Sequence, residues 1–301
     1  MKNEHSPSPG SLAQVACILE VSCRKPGNVH PNRSFSDTSY LDFILSATAI
    51  APALDLAPTR PLGETVLDAV QAMRARVGMN THLGIILLLA PLCSLPEKTL
   101  LASRTQAGRK QLKHSIEAAL SELTRRDGEL VYEAIRLAAP GGLGEAERGD
   151  VSGAPDGTLS EMMALAGERD LVARQYTNGF ENILEEGVPA LSSALSAGRS
   201  LEEAVVLCHL QFMARHGDSL ILRKCGKSVA KEAARRAQEV LDSRWPQGDA
   251  PESSLQTFDD WLRADGNQRN PGTSADLTTA SLFLAMAGGI IQLPPTSGMG
   301  R

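Results

Sequence analysis

Along most of the chain, apolar residues recur at the spacing of one helix face. Leu62, Val66, Ala69, Val70, Met73 and Val77 fall at i, i+4, i+7, i+8, i+11 and i+15, the signature of an amphipathic helix. Leu112, Ile116, Leu120 and Leu123 repeat the pattern. So do Val229, Ala233, Ala237 and Val240, with Lys231, Glu232, Arg235, Arg236 and Glu239 on the other side. Helix starts are marked as well. Thr158-x-x-Glu161, Ser200-x-x-Glu203 and Thr273-x-x-Asp276 each precede an apolar run as a capping box does. No segment alternates with period two beside hairpin turn chemistry. The pattern predicts an all-α fold of roughly ten helices.

The densest apolar run, Leu83 to Leu95, is shorter than the ~20 residues a membrane span needs and reads as a buried core helix. Residues 1–10 and 288–301 are rich in Gly, Pro and Ser and are expected to be a disordered N-terminus and a flexible tail. Residues 11–287 remain as a single all-helical domain. Two loops interrupt it. Residues 138–157 are dense in Gly, Asp and Pro and fit a linker or an active-site loop, and 243–253 read as a surface connection.

Composition sharpens the helical reading. Only 4% of the 301 residues are aromatic against 42% hydrophobic, so Ala and Leu supply the core, and both favour helix over strand. A net charge of −5 gives no field that would draw the protein to nucleic acid or to an anionic membrane. Phosphate chemistry would then need a local basic cluster. Five cysteines without CxxC spacing point to reduced thiols in the cytoplasm. The polar start MKNEHSPSPG lacks a signal peptide's apolar region.

Four polar clusters stand against this background. Arg24-Lys25-Pro26-Gly27-Asn28-Val29-His30 ends a helix in a tight turn that suits phosphate binding through Lys25 and backbone N–H groups, or is a plain Pro-Gly stop. Asn80-Thr81-His82 stands at the mouth of the apolar helix. Asn80 or Thr81 is a natural N-cap, and a helix N-terminus keeps the His82 imidazole neutral. Asp218 is followed by Arg223-Lys224-Cys225-Gly226, a triphosphate clamp or a surface charge pair. Asn270-Pro271-Gly272-Thr273-Ser274-Ala275-Asp276 leads into a helix. Its Asp276 suits Mg²⁺ beside phosphates, or the third position of a capping box. There is no GxxxxGK[ST], no strand-borne GxGxxG and no HExxH. His209 and His216 have no third ligand nearby for zinc.

Taken in order, KPGN at 25–28, Asp37, NTHLG at 80–84, GEA at 144–146, Asp218 and NPGTSAD at 270–276 resemble the triphosphoribosyl-dephospho-CoA synthase family from about residue 12 to about 287. The resemblance implies a transferase that takes ATP and 3′-dephospho-CoA, moves the triphosphoribosyl unit to a ribose 2′-hydroxyl and releases adenine, with Mg²⁺ accompanying ATP. It makes His82, Asn80 and Asp218 the candidate catalytic residues. Lys25, Asn28, Thr81, Arg223, Lys224 and Asn270 become candidate ATP ligands, and Asp276 and Asp37 candidate Mg²⁺ ligands. The spelling departs from better-known members. Ser219-Leu220-Ile221-Leu222-Arg223-Lys224-Cys225-Gly226 stands where they read T-N-x-x-H-R-G-G, Leu83 where Lys is common, and KPGN in place of KPGL. This marks a variant subgroup. The alternatives are another acceptor, such as one in one-carbon carrier synthesis, and a non-catalytic helical interaction protein.

Overall fold

The computed structural model describes residues 7–142, 144, 148–247 and 249–292, without the side chains of 249–251. Among the described residues there is no strand, and fourteen α-helices follow one another. They are α1 (Pro9–Ser22), α2 (Tyr40–Asp55), α3 (Leu62–Val77), α4 (Leu83–Cys93), α5 (Glu97–Leu100), α6 (Gln106–Ser121) and α7 (Arg125–Ala138). The second half holds α8 (Leu159–Ala166), α9 (Leu171–Asn178), α10 (Val188–Ser196), α11 (Leu201–His216), α12 (Ser219–Asp242), α13 (Asp249–Arg263) and α14 (Gly272–Ala287). The helical class is as expected, and short helices such as α5, α8 and α9 account for the higher number.

Two helices that are buried on nearly every side form the centre. Every residue of α4 except Gly84 is buried, and α14 is buried from Thr273 to Met286 apart from Asp276. α14 packs on α1, α4, α10 and α11. Each Leu hidden this way contributes about 1.5–3 kcal/mol relative to an exposed one. A second apolar cluster joins α11, α12 and α13 through Met213, Ile221, Ala233, Phe258 and Leu262, and Leu207 packs against both clusters. The stretch Tyr40–Thr59 has the length and composition of a membrane span, but its buried side rests on α1 and α3.

Capping explains most helix starts. Thr158 and Ser200 make the expected boxes with Glu161 and Glu203. The third box does not form: α14 begins at Gly272, so Thr273 already lies inside the helix, and the N-cap residue Pro271 has no side chain able to cap it. Asp276 is therefore free of capping duty. In α12 the backbone leaves helical geometry at Gly226, which kinks the helix. The φ of +82° there belongs to the region only glycine enters cheaply.

The ends differ in part from expectation. Pro9 and Gly10 already belong to α1, and Gly10 N–H donates to Asp55 Oδ1 at 2.6 Å. Ile291 is buried. Residues 1–6 and 293–301 lie outside the described residues. The connection at 243–253 ends early, because α13 starts at Asp249.

Candidate active site

A cavity of about 680 Å³ opens where α1, α4, α12 and α14 end or begin, a volume typical of small-ligand sites. All four polar clusters reach it: Asn28, Asn80 and Thr81, Arg223 and Lys224, and Asn270 and Asp276 line its wall, with Asp37. The 138–157 loop contributes Pro140, Gly141, Gly149 and Val151, which makes it a wall of the site. Gly142, at φ +75°, lets the loop lie against Arg223, where a Cβ would come within 3.3 Å of the Arg223 Cβ. Glu145 and Ala146 of the GEA segment lie outside the described residues.

Three expected site residues do not line the cavity. Lys25 is 1% exposed. Its ammonium donates to the Glu20 carbonyl and, at 3.2 Å, to the Cys23 carbonyl, and lies 3.1 Å from Glu20 Oε1. Those contacts close off the end of α1 and leave no N–H for a phosphate. The turn turns inward because Gly27 N–H donates to Asp259 Oδ1 at 2.6 Å and Arg263 donates to the Asn28 carbonyl. Asp218 is the N-cap of α12. One carboxylate oxygen accepts from Leu220 N–H (2.9 Å) and Ile221 N–H (3.1 Å), the other from Ser274 N–H (2.8 Å) and Ser274 Oγ (2.9 Å). It clasps α12 to α14, and burial lifts its carboxyl against the pull of Ser274. His82 is 2% exposed, its ring tilted 47° to that of Phe43 with centroids 5.6 Å apart, and its Nδ1 2.9 Å from Thr81 Oγ1. Burial pushes its imidazole down to about 3. These three side chains hold the site together from behind its wall.

The residues that do face the cavity fall into two chemical sets. Asn80 Oδ1 accepts from Leu83 N–H at 3.1 Å, capping α4, and its amide nitrogen has no protein partner among the described residues. Thr81 donates to Ser46 Oγ at 2.6 Å. Arg223 pairs with Asp170, the N-cap of α9, and its Nε is buried without a partner. Lys224 donates to the Asn267 carbonyl at 3.2 Å, and Asn267 Nδ2 donates to Asp37 at 3.0 Å. Burial lowers the Lys224 ammonium from its ordinary value. Two cations that the motifs did not indicate, Arg74 and Arg169, also line the cavity. Neither makes a side-chain hydrogen bond or ion pair among the described residues.

The second set accepts hydrogen bonds. Asn28 is 8% exposed and its Oδ1 is buried without a donor. Glu20, 4% exposed, lines the cavity while paired with Lys25. Asp276 makes no side-chain hydrogen bond or ion pair among the described residues. Its carboxylate lies so flat on Gly84 that a Cβ there would meet Oδ2 at 2.0 Å. Burial pushes this carboxyl well above the usual range, and the charges of Glu20, Asp218 and Asp170 push it further. A buried polar group left without a partner is rare enough to mark a ligand position. Among the described residues no three His, Cys, Asp or Glu side chains gather as metal ligands.

Set beside known proteins, residues 6–293 match the CitG family, described as ATP:dephospho-CoA triphosphoribosyl transferase. The chain belongs to that family. A Vibrio cholerae 2-(5''-triphosphoribosyl)-3'-dephosphocoenzyme-A synthase is 28% identical over 296 residues, covering 91% of this chain and 86% of its own length. The synthase of that name from Pectobacterium atrosepticum is 26% identical, with 84% of this chain and 71% of its own covered. A crystal structure from Archaeoglobus fulgidus, named as a triphosphoribosyl-dephospho-CoA synthase, superposes with a TM-score of 0.62 at 29% identity. It covers 83% of this chain and 99% of the other. The CitG resemblance read from the polar clusters thus extends over nearly the whole chain.

Glu20, Arg74 and Arg169 are the site residues the motifs passed over. Glu20 had a signal in the sequence: it follows Ala13, Ala16 and Cys17 on the buried stripe of α1, where a carboxylate does not belong without a task. Arg74 sits on the polar edge of α3, and Arg169 in the turn before α9. Nothing in their spacing distinguishes either from other surface arginines.

Proposed function

We propose that this protein moves the 5-triphosphoribosyl unit of ATP to the ribose 2′-hydroxyl of 3′-dephospho-CoA and releases adenine. The observation that carries the reading is the pairing of two sets of groups in one cavity. Arg74, Arg169, Arg223 and Lys224 supply positive charge for a triphosphate, and Glu20 and Asp276 supply carboxylates for a sugar carbon that becomes cationic. A substitution at C1′ of ATP needs both together, because its transition state resembles an oxocarbenium ion. Asn28, Asn80 and Asn270 offer the mixed donors and acceptors that fix a purine or a ribose.

Magnesium fits as the counter-ion of the bound triphosphate. Asp37, exposed at the rim and tied through Asn267 to Lys224, is the carboxylate suited to share an ion held mainly by phosphate oxygens. Its chemistry there is charge neutralisation. The five cysteines, all free thiols, suit a cytoplasmic enzyme.

The test is to incubate purified protein with ATP, Mg²⁺ and 3′-dephospho-CoA and follow adenine, ADP and phosphate by chromatography and mass spectrometry. Adenine and a triphosphoribosylated dephospho-CoA in equal amounts are expected. ADP or phosphate without adenine would overturn the reading, and adenine formed only with a different hydroxyl acceptor would move the protein to another cofactor route.

A further inference from the structure

The cavity wall changes character from one side to the other. Where α1, α12 and α14 meet, it carries the charged and polar groups of the motifs. The other side belongs to α7, α8 and α9, with α8 packed on both its neighbours. These helices present Ile135, Ala138, Leu159, Met162, Met163 and Val172 to the cavity. None of these side chains carries an N–H or O–H for a phosphate or a sugar. An apolar wall continuous with a polar site is where the apolar part of a ligand lies.

ATP and 3′-dephospho-CoA are both adenosine 5′-phosphates with a free ribose 2′-hydroxyl. The acceptor differs by its pantetheine arm, a flexible chain with a gem-dimethyl carbon, amides and a terminal thiol. A transferase that spares the 2′-hydroxyl of ATP must read that arm, because adenine and ribose are common to both molecules. We propose that the apolar side of the cavity holds the pantetheine arm, and that Leu159, Met162 and Met163 of α8 select the acceptor. The inference rests on the transfer reaction proposed above.

The lining suits such a chain. Methionine is unbranched and reshapes around a flexible partner, and here two adjoin in sequence. A glycine lines a cavity with backbone alone, so Gly141 and Gly149 offer peptide groups to the amides of the arm. Beside them the Tyr132 hydroxyl donates to the Gly149 carbonyl at 2.7 Å and keeps its oxygen free to accept. Arg136 donates to the Val151 carbonyl at 2.6 Å and to the Gly153 carbonyl at 3.2 Å, which ties the later part of the 138–157 loop to α7. Cations stand at the border of this side. Arg169 lies in the turn between α8 and α9, and a Cβ at Gly141 would stand 3.4 Å from Lys224 Cε. A diphosphate resting on those cations sends the arm attached to it along α8.

Two variants test this, one by kinetics and one without turnover. Ala166 lines the cavity from α8 and is half-buried, so Ala166→Trp sets an indole in the path of the arm. KM for dephospho-CoA should rise roughly 10-fold or more, the scale on which apolar pockets discriminate, while KM for ATP stays unchanged. Met162→Cys is made in a Cys225→Ser chain, since Cys225 is the one native thiol that is not buried. Incubated with the symmetrical disulfide of dephospho-CoA, its thiolate attacks one sulfur, forms a mixed disulfide and releases one dephospho-CoA thiol. Intact-protein mass spectrometry should find that adduct in M162C/C225S and not in C225S alone. A raised KM for ATP with that for dephospho-CoA unchanged would give the apolar side to the adenine of the donor and overturn the proposal. So would unchanged constants for both substrates in a folded A166W, or labelling of M162C/C225S no faster than of C225S. If A166W melts far below the unaltered protein, the capture alone decides. Absence of adenine with the unaltered protein would remove the transfer reaction, whereas capture of the disulfide would still support the site for the arm.

Discussion

The turn after α1 and the start of α14 each carry a charged residue of the motif set, one behind the cavity wall and one on it, and the structure uses the two in opposite ways. At the turn, Lys25 is folded inward and its ammonium meets two carbonyls and a carboxylate. At the start of α14, Asp276 faces the cavity with no partner among the described residues. A charge that the protein has already satisfied is a structural part, and one left unsatisfied at considerable electrostatic cost is reserved for a ligand. Position in a motif does not distinguish them; the count of partners does.

The contrast can be broken most forcefully at Lys25. Lys25→Met strands the Glu20 carboxylate in a dry site, which costs about 3–5 kcal/mol when a buried pair loses one member. Urea unfolding should show this as a lower midpoint at unchanged slope. An unchanged midpoint would mean that the pair is solvated and that Lys25 is available to substrate after all.

A smaller effect is expected on the cavity side. Arg74→Ala or Lys224→Ala should weaken ATP binding by about 1.5–3 kcal/mol, the loss of one charge-assisted contact, or roughly 10- to 150-fold in Kd. Melting temperature should hardly move, since among the described residues Arg74 has no side-chain partner and Lys224 donates only to the Asn267 carbonyl. Calorimetry with Mg²⁺ present reads the affinity. Wild-type binding in both variants would make them ordinary surface charges.

The mildest test concerns the buried imidazoles. His82 and His209 are both pushed by burial from 6.5 down to about 3. The unfolded chain therefore binds their protons first. Their stabilising contribution is complete above pH 6.5 and is lost progressively as pH falls toward 3, at about 1.4 kcal/mol per pH unit for each imidazole. Replacing His82 with Gln should flatten that slope in denaturation measured between pH 6 and 4. A slope equal to that of the unaltered protein would show that His82 is already solvated, and would return it to the catalytic candidates.

How much of this was legible beforehand divides along the same line. The helices were, because stripes such as Leu62 to Val77 record directly which face is buried. The place of the site was too, because Pro, Gly and Asn cluster where helices end, and several helix ends meet at one cavity. The direction of each side chain was not. Whether Lys25 turns in or out depends on Asp259 and Arg263, more than two hundred residues away, and the saturation of Asp218 depends on Ser274 in α14. The failed Thr273 capping box has the same origin: α14 starts at Gly272, and Ser274 is already bonded to Asp218.

Gly84 is the single residue of α4 that is not buried, and the Asp276 carboxylate occupies the space where its side chain would be. Neither position can drift alone through evolution. A methyl at 84 would evict the carboxylate, and shortening the residue at 276 would remove the only reason for a glycine inside such an apolar helix. Duplicated copies of this gene should therefore either retain Gly and Asp together or lose both. A chain carrying alanine at the first position and a small neutral residue at the second has ceased to be an enzyme of this kind, whatever its overall similarity.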